Sequence, residues 1–399
     1  LINALITQYP FNKEAIVINR NVFNPIAYFG SGAIKHIIDE VQTRKLSKAF
    51  IVTDSQIVRC GVSEKITRLL EQNNLAYIVF DGVEANPTIE NVRAGVSAFE
   101  CSDADYLIAV GGGSSIDTAK AIGIIIANPD FTDVRSLEGA AATDNPAIPT
   151  IAVPTTAGTA AEVTINYVIT DVENRRKFVC YDPHAVPVVS IIDADMMSSM
   201  PPSLKAATGI DALTHAIEGY ITLGAWTLTD MFHIQAIELI AASLRASVAG
   251  DAQASEDMAL GQYIAGMGFS NVGLGLVHGM AHPLSAFYGA PHGLANAVLL
   301  PHIMEWNAEF TEGKYRSIAA AFDIPQAYTM PLSEARSEAV DAVRRLNKDI
   351  GIPSRLRDIG MKEEDAMALA TAALADICTG GNPRPVTLTD ILQLYRRLY

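Results

Sequence analysis

The chain has 399 residues, 49% hydrophobic and 18% charged, with a formal net charge of −15. Single hydrophobic cores stop growing near ~250–300 residues, so two domains are expected. The acidic balance, with no basic cluster beyond Arg175-Arg176-Lys177, speaks against a nucleic-acid partner, because a phosphate backbone is bound by concentrated positive charge.

From the start of the chain, Leu1–Tyr9 lacks the cationic start and apolar segment of a signal peptide. No apolar run approaches the ~20 residues of a membrane helix, Ala121–Ala127 being short and bounded by polar residues. Cys60, Cys101, Cys180 and Cys378 show neither metal-ligand nor redox spacing and read as reduced thiols, which points to the cytoplasm.

The first half alternates short β-rich runs with amphipathic stretches. Ala49–Thr53, Tyr77–Phe80, Tyr106–Val110 and Ile148–Val153 read as buried parallel strands, with helices such as Val62–Gln72 and Asn91–Phe99 between them. Asp54 ends the first of these strands. Its carboxylate suits either a turn or the hydroxyls of an adenosine ribose, and the second role would favour NAD over NADP.

Between the strand at Tyr106–Val110 and a helix expected near Ser115 stands Gly111-Gly112-Gly113-Ser114-Ser115-Ile116-Asp117. Glycines let main-chain N–H groups approach an anion, and the helix adds unpaired donors and its positive dipole end, so a pyrophosphate fits. Ser114 with Asp117 also fits a capping box, which makes a plain strand-to-helix turn the alternative. The spacing is not the usual G-x-G-x-x-G. A second polar turn, Pro154-Thr155-Thr156-Ala157-Gly158-Thr159, lies on the same rim, where Thr155 either reaches the ligand or caps a helix.

After Pro201-Pro202 the sequence becomes Ala- and Leu-rich with 3.6-residue periodicity, as in Asp230–Val248 and Ser333–Asp349. The expected fold class is therefore an α/β N-terminal domain with a parallel sheet, residues 1–198, followed by an all-α C-terminal domain, residues 199–399. In the helical half Asp211 and His215 stand four apart, one turn along a helix face. His278 and His282 repeat that spacing and His292 follows, in an apolar, Ala/Gly-rich context where clustered unpaired imidazoles are costly. A divalent cation resolves that cost. Carboxylate and imidazole ligands suit Fe2+ or Zn2+, and spacing alone does not decide which three histidines ligate. His36, His184, His233 and His302 have no companions at useful spacing and are assigned to surface or core.

These motifs, together with Phe29-Gly30-Ser31-Gly32 and Cys378-Thr379-Gly380-Gly381-Asn382-Pro383 near the two ends, resemble the iron-containing (group III) alcohol dehydrogenases over nearly the whole chain. The resemblance implies a cleft between the two domains holding a metal on Asp211, His215, His278 and His292, with His282 close by as a non-ligand. It implies NAD contacts from Asp54, Gly112, Gly113, Ser114, Thr155, Thr156 and Lys177, and a substrate pocket at Asn166, Phe269 and Cys378. His282 would then either relay the alcohol proton or pack against the nicotinamide. Thr164–Asp171 and Gly219–Thr222 resemble members acting on lactaldehyde and 1,2-propanediol; 1,3-propanediol, butanol and ethanol are alternative substrates. The resemblance also implies a homodimer to which Ile16–Asn21 would contribute, and leaves the first fourteen or so residues without a counterpart.

Two other classes compete. A dehydroquinate synthase-like lyase would need several cations for a phosphate-bearing substrate, and near Asp211 to His292 there are only Lys205 and Arg245. A non-catalytic NAD-binding module leaves the clustered histidines unexplained.

Overall fold

A computed structural model describes residues 18–399. Leu1–Tyr9 and the first two residues of the Ile16–Asn21 segment lie outside the described residues. The first half contains β1 (Ile26–Phe29), α1 (His36–Arg44), β2 (Lys48–Val52), α2 (Val62–Gln72), β3 (Ala76–Phe80), α3 (Ile89–Glu100), β4 (Tyr106–Gly111), α4 (Gly113–Ala127), β5 (Thr150–Pro154), β6 (Asn166–Asp171), β7 (Arg176–Tyr181) and β8 (Val189–Ile192). Six strands form one parallel sheet in the order β1-β8-β5-β4-β2-β3. Every residue of β4 and β5 is buried, as expected for central parallel strands covered by helices on both faces. Val62, Ile66 and Leu70 form the apolar stripe that seats α2 on the sheet.

The strand order reverses between β2 and β4, which places a crevice beyond the carboxyl ends of these two neighbours. Asp54 and the glycine turn stand there. β6 and β7 leave the sheet as an antiparallel hairpin; its buried Tyr167, Ile169, Phe178 and Cys180 pack with Ile124, Val134 and Leu137. The fully buried Lys120 of α4 fixes the start of this hairpin, donating to the carbonyls of Thr164 and Asn166 at 2.7 and 2.8 Å.

The second half is helical: α5 (Pro202–Ile221), α6 (Thr227–Val248), α7 (Ala252–Val272), α8 (Leu276–Tyr288), α9 (His292–Asn307), α10 (Lys314–Ala321), α11 (Leu332–Asp349), α12 (Ala366–Ala375) and α13 (Leu388–Leu398). Every residue of α5 from Gly209 to Ile221 is buried, so this helix is the axis of the domain. Ala157, Ala160 and Ile192 of the first half join the same apolar core, which ties the two halves together. Residue 198 falls between the short helix Ala194–Met197 and α5. Near the start of the described chain, Val22 N–H donates to Asn271 Oδ1 of α7 at 2.7 Å, and Tyr263 donates to Asn24. Ile18–Asn21 forms no strand.

Two local expectations are corrected. Gly112, not Ser114, is the N-cap of α4, and no side chain caps it; the Asp117 carboxylate accepts instead from Val168 N–H at 3.0 Å, bracing the hairpin. Thr155 caps no helix, because the chain after it runs through bends and turns; its N–H donates to Gly111 O at 2.9 Å.

Candidate functional site

Three helices converge on one point. α5 carries Asp211, His215 and, a further turn on, Glu218; α8 carries His278 and His282; α9 begins at His292. The Nε2 atoms of His278 and His292 lie 3.9 and 3.8 Å from Asp211 Oδ1. A ligating atom from each of Asp211, His215 and His278 lies within 4.8 Å of the others. Two metal–ligand bonds of ~2.0–2.2 Å hold their donors about 3.3–4.4 Å apart, so the 3.8 and 3.9 Å separations suit a shared ion.

The surroundings set the charge of these groups. Burial pushes the His215 imidazole down to about 4 and His278 down to about 3, and lowers His292 as well. At neutral pH all three are therefore neutral, with lone pairs to offer. Asn296, one turn along α9 from His292, points its amide nitrogen at Asp211 Oδ1, His278 Nε2 and His292 Nε2, at 2.7, 3.1 and 3.2 Å. One amide group has two hydrogens for these three acceptors. The donor set thus holds more lone pairs than the protein has protons to satisfy, and a cation fits that surplus. Phe269 closes one side, its ring stacked on His215 with centroids 4.2 Å apart.

Glu218 was not among the residues singled out in the sequence. Its carboxylate accepts from Val277 N–H at 2.6 Å, His278 N–H at 3.3 Å and His278 Nδ1 at 2.7 Å. It therefore caps the N-terminus of α8 from a neighbouring helix and holds the His278 proton on Nδ1, leaving Nε2 free toward Asp211. Burial pushes Glu218 up to about 7. Its spacing, seven residues after Asp211 and three after His215, was the available signal.

His282 is turned differently. Its Nδ1 lies 2.8 Å from Asp376 Oδ2, and its ring stacks on His292 with centroids 5.2 Å apart. Asp376 was unforeseen too, since nothing local links it to a histidine 94 positions earlier.

At the crevice, Gly111 has φ +154°, and a Cβ there would lie 2.3 Å from Ser115 Oγ. A Cβ on Gly113 would meet Thr159 Cγ2 at 2.9 Å. The two polar turns therefore touch through glycine, and the uncapped first turn of α4 presents free N–H groups. Asp54 uses Oδ1 to cap the following short helix, accepting from Gln56 and Ile57 N–H at 2.8 and 2.9 Å. Its Oδ2 faces the turn, 3.9 Å from a Cβ on Gly111. Gly112 to Ser114 and Thr156 are partly accessible, whereas Thr155 is buried.

A cavity of about 160 Å³ joins the two regions, lined by Gly113, Ser114, Asn166, Lys177, Phe269 and Cys378 together with Asp211, His215, His278, His282 and His292. Thr159, the last residue of the second polar turn, also lines it, as does Asn86, which was not foreseen. Lys177 donates to Asn86 Oδ1 at 2.6 Å, and burial brings it down to about 8. Lys205 and Arg245 face elsewhere, on Ser247 O and Asp349. Among the described residues, Lys177 is the one cation lining the cavity, too little positive charge for a phosphate-bearing cyclic substrate.

The chain is similar to known proteins along both halves. Residues 24–194 match the family described as iron-containing alcohol dehydrogenase, and residues 205–399 the C-terminal part of the Fe-containing alcohol dehydrogenase family. Lactaldehyde reductase of Escherichia coli K12 is 63% identical over 377 residues, covering 94% of this chain and 98% of that protein. 1,3-Propanediol dehydrogenase of Klebsiella pneumoniae is 40% identical over 380 residues, covering 94% and 97%. The solved structure of an alcohol dehydrogenase from Oenococcus oeni superposes with a TM-score of 0.92 at 37% identity, covering 96% of this chain and 100% of that one. With the converging carboxylate and imidazoles, the glycine turn at the strand-order reversal and these matches along both halves, the chain belongs to the iron-containing alcohol dehydrogenases.

Proposed function

We propose that this enzyme interconverts lactaldehyde and 1,2-propanediol, using NAD and a divalent iron held by Asp211, His215, His278 and His292. The convergence of a carboxylate and neutral imidazoles beside the glycine turn carries the chemistry, and the 63% identity to lactaldehyde reductase carries the substrate. Zn2+ suits the same ligands and is the alternative ion. When bound, the ion supplies Lewis-acid polarisation of the substrate oxygen and the nicotinamide supplies or accepts hydride.

The protein's own groups do the rest. Gly112, Gly113, Ser114 and Thr156 would bind the pyrophosphate, Asp54 Oδ2 the adenosine ribose, and Lys177 the nicotinamide side. Thr155 contributes through its backbone contact with Gly111. Asn166, whose carbonyl is pinned by Lys120, would orient the 2-hydroxyl, while Phe269 and Cys378 exclude water from the reacting carbon. His282 would pass the alcohol proton toward Asp376 along their 2.8 Å contact.

The deciding experiment is anaerobic NADH oxidation with L-lactaldehyde and with propanal, by metal-stripped protein and protein reloaded with Fe2+ or Zn2+. Fe2+-dependent turnover that favours lactaldehyde is expected. A preference for propanal would remove the substrate, and turnover without metal would remove the mechanism. His282→Ala should lower turnover by roughly 10²–10⁴-fold and change the pH–rate profile; an unchanged profile at full turnover refutes the relay. Glu218→Gln keeps the shape but loses the charge behind His278, so metal affinity should fall ~10–100-fold, as read by competition with a chelator. Undiminished retention would show that Glu218 only caps α8.

The two domains are assigned to residues 1–198 and 199–399. We also infer a homodimer in the cytoplasm: all four cysteines are free thiols, suited to a reducing compartment, and β1 is one of the two edges of the sheet among the described residues, with Phe29 48% exposed. Sedimentation at micromolar concentration tests the dimer. Among the described residues no helix is long and apolar enough to cross a membrane.

A further inference from the structure

We propose that His282, Asp376 and Cys378 form a second divalent-metal site that takes a thiophilic ion such as Zn2+ or Cd2+. A ring nitrogen of His282, a carboxylate oxygen of Asp376 and Cys378 Sγ all lie within 4.8 Å of one another. Bonds of ~2.0–2.3 Å hold tetrahedral donors about 3.3–3.7 Å apart, so small side-chain rotations complete the set. The chain prepares it well. Asp376 spends Oδ1 on Cys378 N–H at 2.9 Å, which fixes the turn carrying the thiol and directs Oδ2 at His282. The side chains of His282 and Asp376 are 7% and 9% exposed, so water competes weakly for them.

The trio stands in the wall between two cavities. His282 and Cys378 line the reaction cavity, and His282 and Asp376 line a second one of about 580 Å³ that lies between β7 and the turn after α12. An ion can enter from the second cavity and take a water as its fourth ligand. Charge does little to attract it there. Arg175, Arg176 and Lys177 share the lining with Glu138, which Arg176 engages at 2.6 Å. Affinity therefore rests on bonds to sulfur and nitrogen, which selects Zn2+ or Cd2+ and rejects Mg2+ and Ca2+.

Binding is a proton exchange without redox change. The Cys378 thiol releases one proton to solvent as the S–metal bond forms, and the His282 proton moves from Nδ1 to Nε2 through water so that Nδ1 can ligate. His282 then no longer donates to Asp376, and inhibition follows if His282 relays the alcohol proton, a consequence resting on the functional reading above.

The test is a Cd2+ titration of the iron-loaded enzyme under anaerobic conditions, following the ultraviolet cadmium–thiolate band. The Asp211, His215, His278 and His292 set has no sulfur, so the band reports only a cysteine. It should saturate at one added ion per chain, with iron content unchanged and one proton released per ion. Cys378→Ser should abolish it, Asp376→Asn should raise its midpoint at least tenfold, and the Cys60→Ser/Cys101→Ser protein should retain it. No band at one equivalent, or a band that survives Cys378→Ser, overturns the site. Turnover lost in step with the band supports site and relay together; a full band with undiminished turnover keeps the site and overturns the relay alone.

Discussion

Alanine at His278 is expected to strip the enzyme of its metal and lower turnover by about 10³-fold or more, since several kcal/mol of charge stabilisation depend on that ion. The loss exceeds the ~10–100-fold typical of residues that only support a ligand. His278 is 1% exposed and is held by Glu218 at 2.7 Å, so its removal also strands a buried carboxylate. A stability loss of roughly 1.5–3 kcal/mol follows from the broken charge-assisted hydrogen bond. Adding Glu218→Gln to His278→Ala should restore much of that stability and none of the turnover, because the amide carries no charge to strand while the ligand is still missing. Metal analysis, turnover and denaturant midpoints measured on the three variants separate these effects. A metal-free His278→Ala protein with full activity would sink the site assignment.

Gly111→Ala should strike the other half of the reaction. The alanine would keep φ near +154° and place its Cβ 2.3 Å from Ser115 Oγ and 2.7 Å from Ser115 Cβ. Ser115 lies in the first turn of α4, so relief requires moving the N–H groups proposed to bind pyrophosphate. Backbone strain of about 1–3 kcal/mol is expected, with NAD affinity reduced at least tenfold and metal retention unchanged. Adding Ser115→Ala should rescue only part of the loss, since the contact with Cβ persists. Titration of NADH fluorescence and metal content together decide it, and normal NADH affinity would mean that the turn bears no phosphate.

The α/β pattern was legible because buried parallel strands are continuous apolar runs and α2 carries an apolar stripe at four-residue spacing, both local properties. β1 and β8 were not, because each is four residues long and forms by pairing across the chain, Ile26 against Val189. The capping reading of Ser114 failed for a related reason. Asp117 had a better partner in Val168, a residue only the hairpin brings near.

By itself the sequence determined that Asp211 and His215 share a helix face, that His278 and His282 do likewise, and that glycines follow the strand at Tyr106, because these depend on periodicity and Cβ sterics alone. Tertiary structure decided which histidine joins which partner. The start of α9 brings His292 Nε2 to 3.8 Å from Asp211, whereas the turn after α12 brings Asp376 to His282 and so draws that imidazole away. Spacing along the chain cannot make that distinction, since it fixes only the direction of a side chain on its own helix, and the packing of four separate helices fixes what that side chain meets.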